Sequence, residues 1–299
     1  MLYHETAAMA TTHVAASTDQ WPRFERRMRR VVEHVYAHLD EPLDLLTLAD
    51  IAHLSPHHWH RVYHALYGQT MAATVKRLRL HRAAGWLANS ALPVEQIARQ
   101  SGYPNLASFT RLFKGEYGLP PARYRATGQH TEFTGPSRID PGAAHPLEIR
   151  VLPAADVVAT EHIGPYMQIG QAFDTLFGRV AALGLVRPGV RMLARFFDDP
   201  TAVPEAALRA QACIAGCGPG EVAAPLLRTT LPAAECAVLV HTGPYASMGA
   251  AYRWLFGAWL AQSGREPADA PVVEEYLNSP RDTAPADLVT HIHLPLRPL

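Results

Sequence analysis

Cysteine is scarce in this chain. Three among 299 residues are too few, and odd in number, for a disulfide framework, which points to a reducing compartment, the cytoplasm. Long apolar runs are missing too: none approaches the roughly 18 residues that a membrane helix needs. The first twenty residues carry neither lysine nor arginine. They lack the basic start of a secretory signal and read as a disordered tail. Net charge is also absent, with 27 Lys+Arg against 27 Asp+Glu. What is present is a 48% apolar, 18% charged mixture, enough to bury a real core over a length that suits two domains of roughly 150 residues. Membrane, secreted mini-protein and disordered classes are excluded.

The zero net charge hides an asymmetry. Residues 21–128 hold 15 Lys+Arg against 8 Asp+Glu, a charge of +7, whereas residues 145–299 hold 11 against 15, a charge of −4. A basic half suits a polyanion, and an acidic half suits a neutral or cationic partner. Between them, residues 127–146 are rich in Gly, Pro, Ser and Thr, show no apolar period, and read as a linker.

The basic half, residues 21–126, is helical in pattern. Phe24, Met28, Val31, Val32, Val35 and Leu39 recur at steps of three and four, and Pro42 closes the segment. Leu45, Leu48, Ala49 and Ala52 form the next stripe, broken at His53–Leu54. Ser55 then suits an N-cap and Pro56 a first helical position, Trp59, Val62, Tyr63 and Leu66 face inward, and Gly68 ends the helix. The pattern recurs about fifty residues on. Val94, Ile97 and Ala98 form the stripe, Gly102 the turn, and Asn105 the cap; Phe109, Leu112 and Phe113 face inward, and Gly118 is the stop. An amphipathic helix over 71–88 joins the two. Helix, short turn, helix, repeated in register, predicts an all-α domain of two helix-turn-helix units.

The outward faces carry the functional expectation. On the first candidate recognition helix they hold His57, His60, Arg61 and His64; on the second, Ala107, Ser108, Arg111 and Lys114. Such groups suit phosphates and base edges of double-stranded DNA. The spacing of His57, His60 and His64 also permits a metal ion. Arg61 shares their face and repels a cation, and no carboxylate or cysteine joins them, so no metal or cofactor is assigned. Residues 24–125 resemble the DNA-binding region of AraC/XylS-type transcription regulators. The resemblance rests on Ile97-Ala98, Gly102-Tyr103, the stretch Ser108–Gly118, Pro121 and Tyr124-Arg125. It implies one monomer placing two recognition helices in successive major grooves, about 34 Å apart. The first unit departs from the family with His53 at the turn position, and with His57 and His60 among the reading residues, which bears on base preference.

The acidic half repeats itself at an offset of 79: residues 161–182 lie over 240–261, matching His162/His241, Gly164/Gly243, Pro165/Pro244 and Tyr166/Tyr245. With one slip the match runs on to Pro200/Pro280 and Leu208/Leu288. Each copy reads as strand, helix, strand, strand, which predicts an α+β domain of two duplicated β-α-β-β units with pseudo-twofold symmetry and a cleft between them. The duplication and its HxGPY motif resemble the GyrI-like effector-binding domain over 147–299, and the order of domains is that of Rob-like regulators. That family takes up small, often lipophilic cationic molecules, with a glutamate in a late strand among aromatic walls; Glu274 in PVVEEYLNSP fits that glutamate.

Glu274 and Tyr276 share a strand face by period two. A carboxylate among aromatic rings is costly unless paired, and a cationic ligand relieves that cost. By the repeat offset Arg195 falls opposite Glu274. Three readings therefore stand: Glu274 anchors a ligand, Arg195 already neutralises it, or it is an exposed strand residue. Glu275 is the inward carboxylate if the register slips by one, and Arg195 could instead receive an anion. Tyr166, Tyr245, Tyr252 and Trp254 are candidate walls, or simply core. For catalysis there is little: no GxSxG or HExxH motif appears, and His162 and His241 occupy equivalent turn positions. Cys213, Cys217 and Cys236 lack a fourth zinc ligand. The expectation is a non-enzymatic transcription regulator whose C-terminal pocket takes a small effector and biases how the N-terminal domain engages DNA or RNA polymerase. A GyrI-like hydrolase and a protein-docking module, each fused to a DNA-binding domain, are the alternatives.

Overall fold

The computed structural model describes residues 20–39, 41–127, 139–140 and 142–299; the expected tail up to residue 19 and most of the expected linker lie outside the described residues, and Gln20, counted with the tail, begins the first helix. Seven helices come first: α1 (Gln20–Ala37), α2 (Leu45–Ala52), α3 (Pro56–Tyr67), α4 (Met71–Asn89), α5 (Val94–Gln100), α6 (Leu106–Tyr117) and α7 (Pro121–Thr127). Their ends follow local chemistry. The Asp44 carboxylate accepts from the Leu46 and Thr47 amides at the start of α2, and Asn105 Oδ1 accepts from Ser108 N, 2.9 Å, at the start of α6. Ser55 holds the expected capping place before α3, but its buried hydroxyl makes no side-chain cap bond. The two tight turns differ in kind: Gly102 takes a φ of +81°, and His53 takes +52°, a left-handed conformation unusual for a residue with a Cβ.

The long α4 is not simply amphipathic. Met71, Val75 and Leu78 belong to the core of the first helix-turn-helix unit, and Leu80, Ala83, Ala84 and Leu87 to that of the second. One helix with two buried faces thus ties the units together. In the second unit Phe109 and Phe113 are fully buried against it.

The acidic half folds into one eight-stranded, wholly antiparallel sheet in the order β1-β6-β8-β7-β3-β4-β2-β5. Its strands are β1 (Leu147–Leu152), β2 (Ala155–Ile163), β3 (Arg191–Phe196), β4 (Arg209–Ala215), β5 (Leu226–Leu231), β6 (Ala234–Thr242), β7 (Val272–Tyr276) and β8 (Val289–Pro295). Helix α8 (Ile169–Ala182) packs on one face, beside a second helix that runs through α9 (Met248–Trp254), a π-helical turn over Leu255–Trp259, and α10 (Leu260–Ser263). The β-α-β-β expectation needs correction, because the domain holds two further strands, β1 ahead of β2 and β5 ahead of β6. Both are edge strands with mostly exposed or half-buried side chains, so burial never forced the apolar pattern that marks a strand.

The two halves pack directly on one another, although the sequence between them reads as a linker. Trp59, Tyr63 and Leu66 of α3 share one continuous apolar core with Leu255, Phe256 and Leu294 of the C-terminal half. Arg27 of α1 donates to the carbonyls of Ala52 and His53 and forms a 2.9 Å ion pair with Glu266. Within the expected linker, the Ile139 amide donates to the Leu66 carbonyl, 2.9 Å. A core crossing the boundary makes α3 an element of both halves.

Candidate functional site

Strand β7 lies at the centre of the sheet, where Glu274 pairs with Ala194 and Tyr276 with Met192 of β3. Period-two alternation turns Glu274 and Tyr276 toward the helix-covered face. Tyr252 reaches the same point from α9. Its phenol donates to Glu274 Oε1 at 2.6 Å, while the Tyr276 phenol donates to Oε2 at 2.9 Å. Among the described residues no cationic side chain comes within ion-pair distance of Glu274. Burial pushes its carboxyl above the ordinary range, offset in part by the two phenol hydrogen bonds and by the charge of Arg61. The phenols themselves are held well above their usual range, first by burial and then by the neighbouring carboxylate.

This arrangement lines a cavity of about 1080 Å³, at the upper end of ordinary ligand sites. Phe173 of α8 meets Tyr276 edge to face, and Tyr245 does so from the other side. Tyr166 caps one end, its ring against Phe196 and its hydroxyl donating to the Asp198 carbonyl at 2.9 Å. The roof comes from the helix-turn-helix half: Arg61, His64 and Ala65 of α3 line the same space. Asp199 stands at the rim, 7% exposed, with Oδ1 accepting from Thr201 and Oδ2 lacking a hydrogen-bond partner.

Five of the sequence-derived pocket residues, Glu274, Tyr276, Tyr166, Tyr245 and Tyr252, therefore converge. Two do not. Arg195 lies on the opposite face of the sheet, donating to Gln211 Oε1 at 3.1 Å and stacking over Phe197. The slip in the repeat brings Ala194 opposite Glu274, so the Arg195–Glu274 pair does not exist. Trp254 points away from the cavity and packs on the shared core, edge to face with His145; helical spacing alone does not say which side of a doubly buried helix faces a void. Glu275 also turns to the far face, 3.4 Å from Arg191 and 3.6 Å from His293. Sequence reasoning missed the grouping of Glu275, His291 and His293, whose ligand atoms lie within 4.8 Å of one another. Arg191 already meets the Glu275 charge there, and burial, reinforced by His291, Arg191 and Arg150, pushes the His293 imidazole down to about 4.

The two expected DNA-reading faces also part ways. On α6, Ala107, Arg111 and Lys114 are exposed and Ser108 is half-buried, an open face with two cations. On α3 the C-terminal half covers the expected reading face. Arg61 sits in the cavity wall, and His60 is half-buried, its imidazole held low by burial against the pull of Asp199. The side chain of His57 lies outside the described residues. His58, which the sequence pattern does not single out, packs its ring 5.7 Å from that of Phe256. Two further groups carry no site. His162 and His241 each bond the carbonyl of the proline three residues on, at 3.0 and 3.4 Å, bracing equivalent turns. Burial pushes the thiols of Cys213 and Cys236 up to about 12 and about 11.

Comparison with known proteins agrees with this division. Residues 145–297 match the model of the GyrI-like small molecule binding domain, and the chain belongs to that family; residues 48–127 match a helix-turn-helix domain of AraC type. The chain is 33% identical over 102 residues to the bifunctional transcriptional activator/DNA repair enzyme AdaA of Bacillus subtilis, covering 34% of this chain and 48% of that protein. It is 33% identical over 96 residues to the transcriptional regulator Rob of Salmonella typhimurium, covering 32% of this chain and 33% of that one. The chain thus spans half or less of the curated relatives it matches. Among solved structures, a complex of EcmrR with DNA is similar at 17% identity and a TM-score of 0.47, covering 52% of this chain and 58% of that one. No described helix is long and apolar enough to cross a membrane.

Proposed function

We propose that the chain is a cytoplasmic, ligand-responsive, DNA-binding transcription regulator, acting by binding rather than by catalysis, whose cavity takes a small lipophilic cation. The observation that carries this reading is the Glu274 carboxylate, 6% exposed, held by two phenols and walled by aromatic rings, with no cation in ion-pair contact. Such a site favours a cation that can shed water and stack on rings, because the ligand supplies the charge the carboxylate lacks. Residues 21–126 form the DNA-binding domain, 127–146 the linker and 147–299 the effector domain. The Arg111 and Lys114 face of α6 suits the phosphates and base edges of a major groove. RNA polymerase is the further partner this reading implies.

The duplication offset supports reading the effector domain as two swapped ββαββ units: β1 and β5 begin 79 residues apart, at Leu147 and Leu226, as do β2 and β6, at Ala155 and Ala234. Each leading strand pairs with the other unit, β1 with β6 and β5 with β2.

The test is a thermal-shift and calorimetric titration of the full chain with tetraphenylphosphonium, alongside neutral triphenylphosphine oxide and anionic tetraphenylborate. Saturable stabilisation by the cation alone, lost in Glu274→Gln, is expected. Equal responses to all three probes, or none to the cation, would overturn the reading.

A further inference from the structure

Arg61 belongs to the helix expected to read DNA, yet its guanidinium lies inside the effector cavity. It stands 5.7 Å over the centre of the Tyr252 ring and 6.0 Å from that of Phe256. Nη2 donates to the Asp198 carbonyl at 2.8 Å. Nη1 is buried and has no hydrogen-bond partner among the described residues. The ring beneath it is the same Tyr252 that donates to Glu274. A planar cation, an aromatic face below it and a carboxylate at the hydroxyl edge of that ring are the parts of a cation-binding site already assembled.

We propose that Arg61 is the resident cation of the effector cavity, an internal competitor that sets which ligands enter and connects their entry to the position of α3. This inference rests on reading the cavity as an effector site and adds the regulation of that site. A neutral ligand lodging beside Arg61 leaves the subsite occupied. A ligand carrying a delocalised positive charge must displace the guanidinium, because two cations over one ring repel and only one can lie on the face of Tyr252. Once displaced, Arg61 has lost its own contacts with the effector domain, its hydrogen bond to the Asp198 carbonyl included, and its guanidinium becomes free to meet a phosphate. Cation and DNA then favour each other's binding, and the coupling passes through one side chain. The unpartnered Nη1 suits such a role: the guanidinium is held by charge and ring rather than by a full set of hydrogen bonds, so its release breaks only one of them.

The test is rescue of the emptied subsite in the full chain. Arg61→Ala removes the resident cation while leaving Tyr252 and Glu274 in place. Ethylguanidinium, a free copy of the missing group, is titrated against the wild-type chain, Arg61→Ala, and Arg61→Ala combined with Glu274→Gln, following the thermal transition. The expected result is a saturable upward shift in Arg61→Ala at millimolar concentration, absent from the other two. Tetraphenylphosphonium should bind Arg61→Ala at least tenfold more tightly than wild type, and its enhancement of DNA affinity should vanish in that variant. Arg61→Gln, which preserves bulk, serves if the alanine variant does not fold. Equal ethylguanidinium responses in wild type and variant, or an unchanged ligand–DNA coupling, would overturn the proposal while leaving cation uptake by the wild-type cavity intact. Absence of cation uptake in every variant would instead remove the effector site itself, and this inference with it.

Discussion

Gly257, in the π-helical turn after α9, lies against the backbone carbonyl of Ala65 in α3: a Cβ at position 257 would stand 2.7 Å from that oxygen and 3.1 Å from its carbon. This close approach joins the helix-turn-helix half to the effector half, and the obstacle to any larger residue is backbone, which cannot swing aside. Gly257→Ala should therefore pry α3 from the effector domain, at a cost of about 1–3 kcal/mol from overpacking. Calorimetry should show the single transition broaden or split, and limited proteolysis between residues 127 and 146 should quicken. An unchanged transition with unchanged cleavage would show that the two halves do not depend on this contact.

The carboxylate of Glu274 makes a second prediction, about pH. Its folded-state pKa is raised above the ordinary 4.5, chiefly by burial, so the folded chain favours the protonated form. Below the ordinary value both folded and unfolded chains hold the proton and the group costs nothing. As pH rises past it, the unfolded chain ionises first, and the folded chain loses stability until the folded pKa is passed. The melting temperature of Glu274→Gln should thus match that of wild type near pH 4 and exceed it at neutral pH, by roughly 2–4 °C per kcal/mol recovered. A difference independent of pH would show that ionisation of this group is not what the substitution relieves. A bound lipophilic cation should close the gap in wild type alone.

Much of this could be read from the residues because it depends on local spacing. Gly102, Asn105 and the Phe109–Phe113 pair define the second helix-turn-helix unit within a few turns of chain, and the structure forms it there. Glu274 is marked by the resemblance to GyrI-like domains and strand alternation puts Tyr276 on its face, whereas the reach of Tyr252 to the same carboxylate stays open in the sequence between pocket wall and core. The union of the two halves did not show itself, since long-range packing leaves only a faint trace in sequence. That trace lies in the difference between the repeats. Phe177 and Arg179 of α8 correspond to Phe256 and Ala258; Phe177 is 40% exposed and Phe256 1%. The run Leu255–Ala258 has no polar side chain, and a helix apolar on every side must be covered on every side. Arg61 was misplaced for the same reason, because an arginine on a helix face looks alike whether it meets solvent, phosphate or a neighbouring domain.

The core of the second helix-turn-helix unit supports a third prediction. Phe109 is fully buried, with its ring 5.5 Å from that of Phe113 and 5.6 Å from that of Tyr103. Phe109→Ala leaves a cavity that the short α5 and α6 cannot collapse to fill, and should cost about 3–5 kcal/mol. That core contains no residue of the effector domain, so the loss should be local. DNA binding should fall sharply while tetraphenylphosphonium uptake persists. Loss of both together would mean that the second unit and the effector domain fold as one cooperative body.

The exposed face of α6 leads to the last prediction, which separates its arginine from that of α3. Arg111 is exposed beside Lys114 with nothing from the effector domain over it, whereas Arg61 is held in the cavity wall. If Arg111 meets a phosphate, Arg111→Ala should weaken DNA binding on any sequence and reduce the slope of log K against log salt by about 0.9, one contact's worth of released counterion. A loss confined to the specific site, with the slope retained, would instead assign Arg111 to a base edge, at about 1–3 kcal/mol of discrimination. Ligand should not alter the Arg111 effect, because α6 packs on α4, α5 and α7, none of which lines the cavity. The contribution of Arg61 to the slope should appear only with cation bound, when its guanidinium is out of the cavity and free to meet a phosphate. Slopes measured for both variants, with and without tetraphenylphosphonium, would show whether the two helices act as one preformed DNA-reading surface or whether the first must be released to join the second.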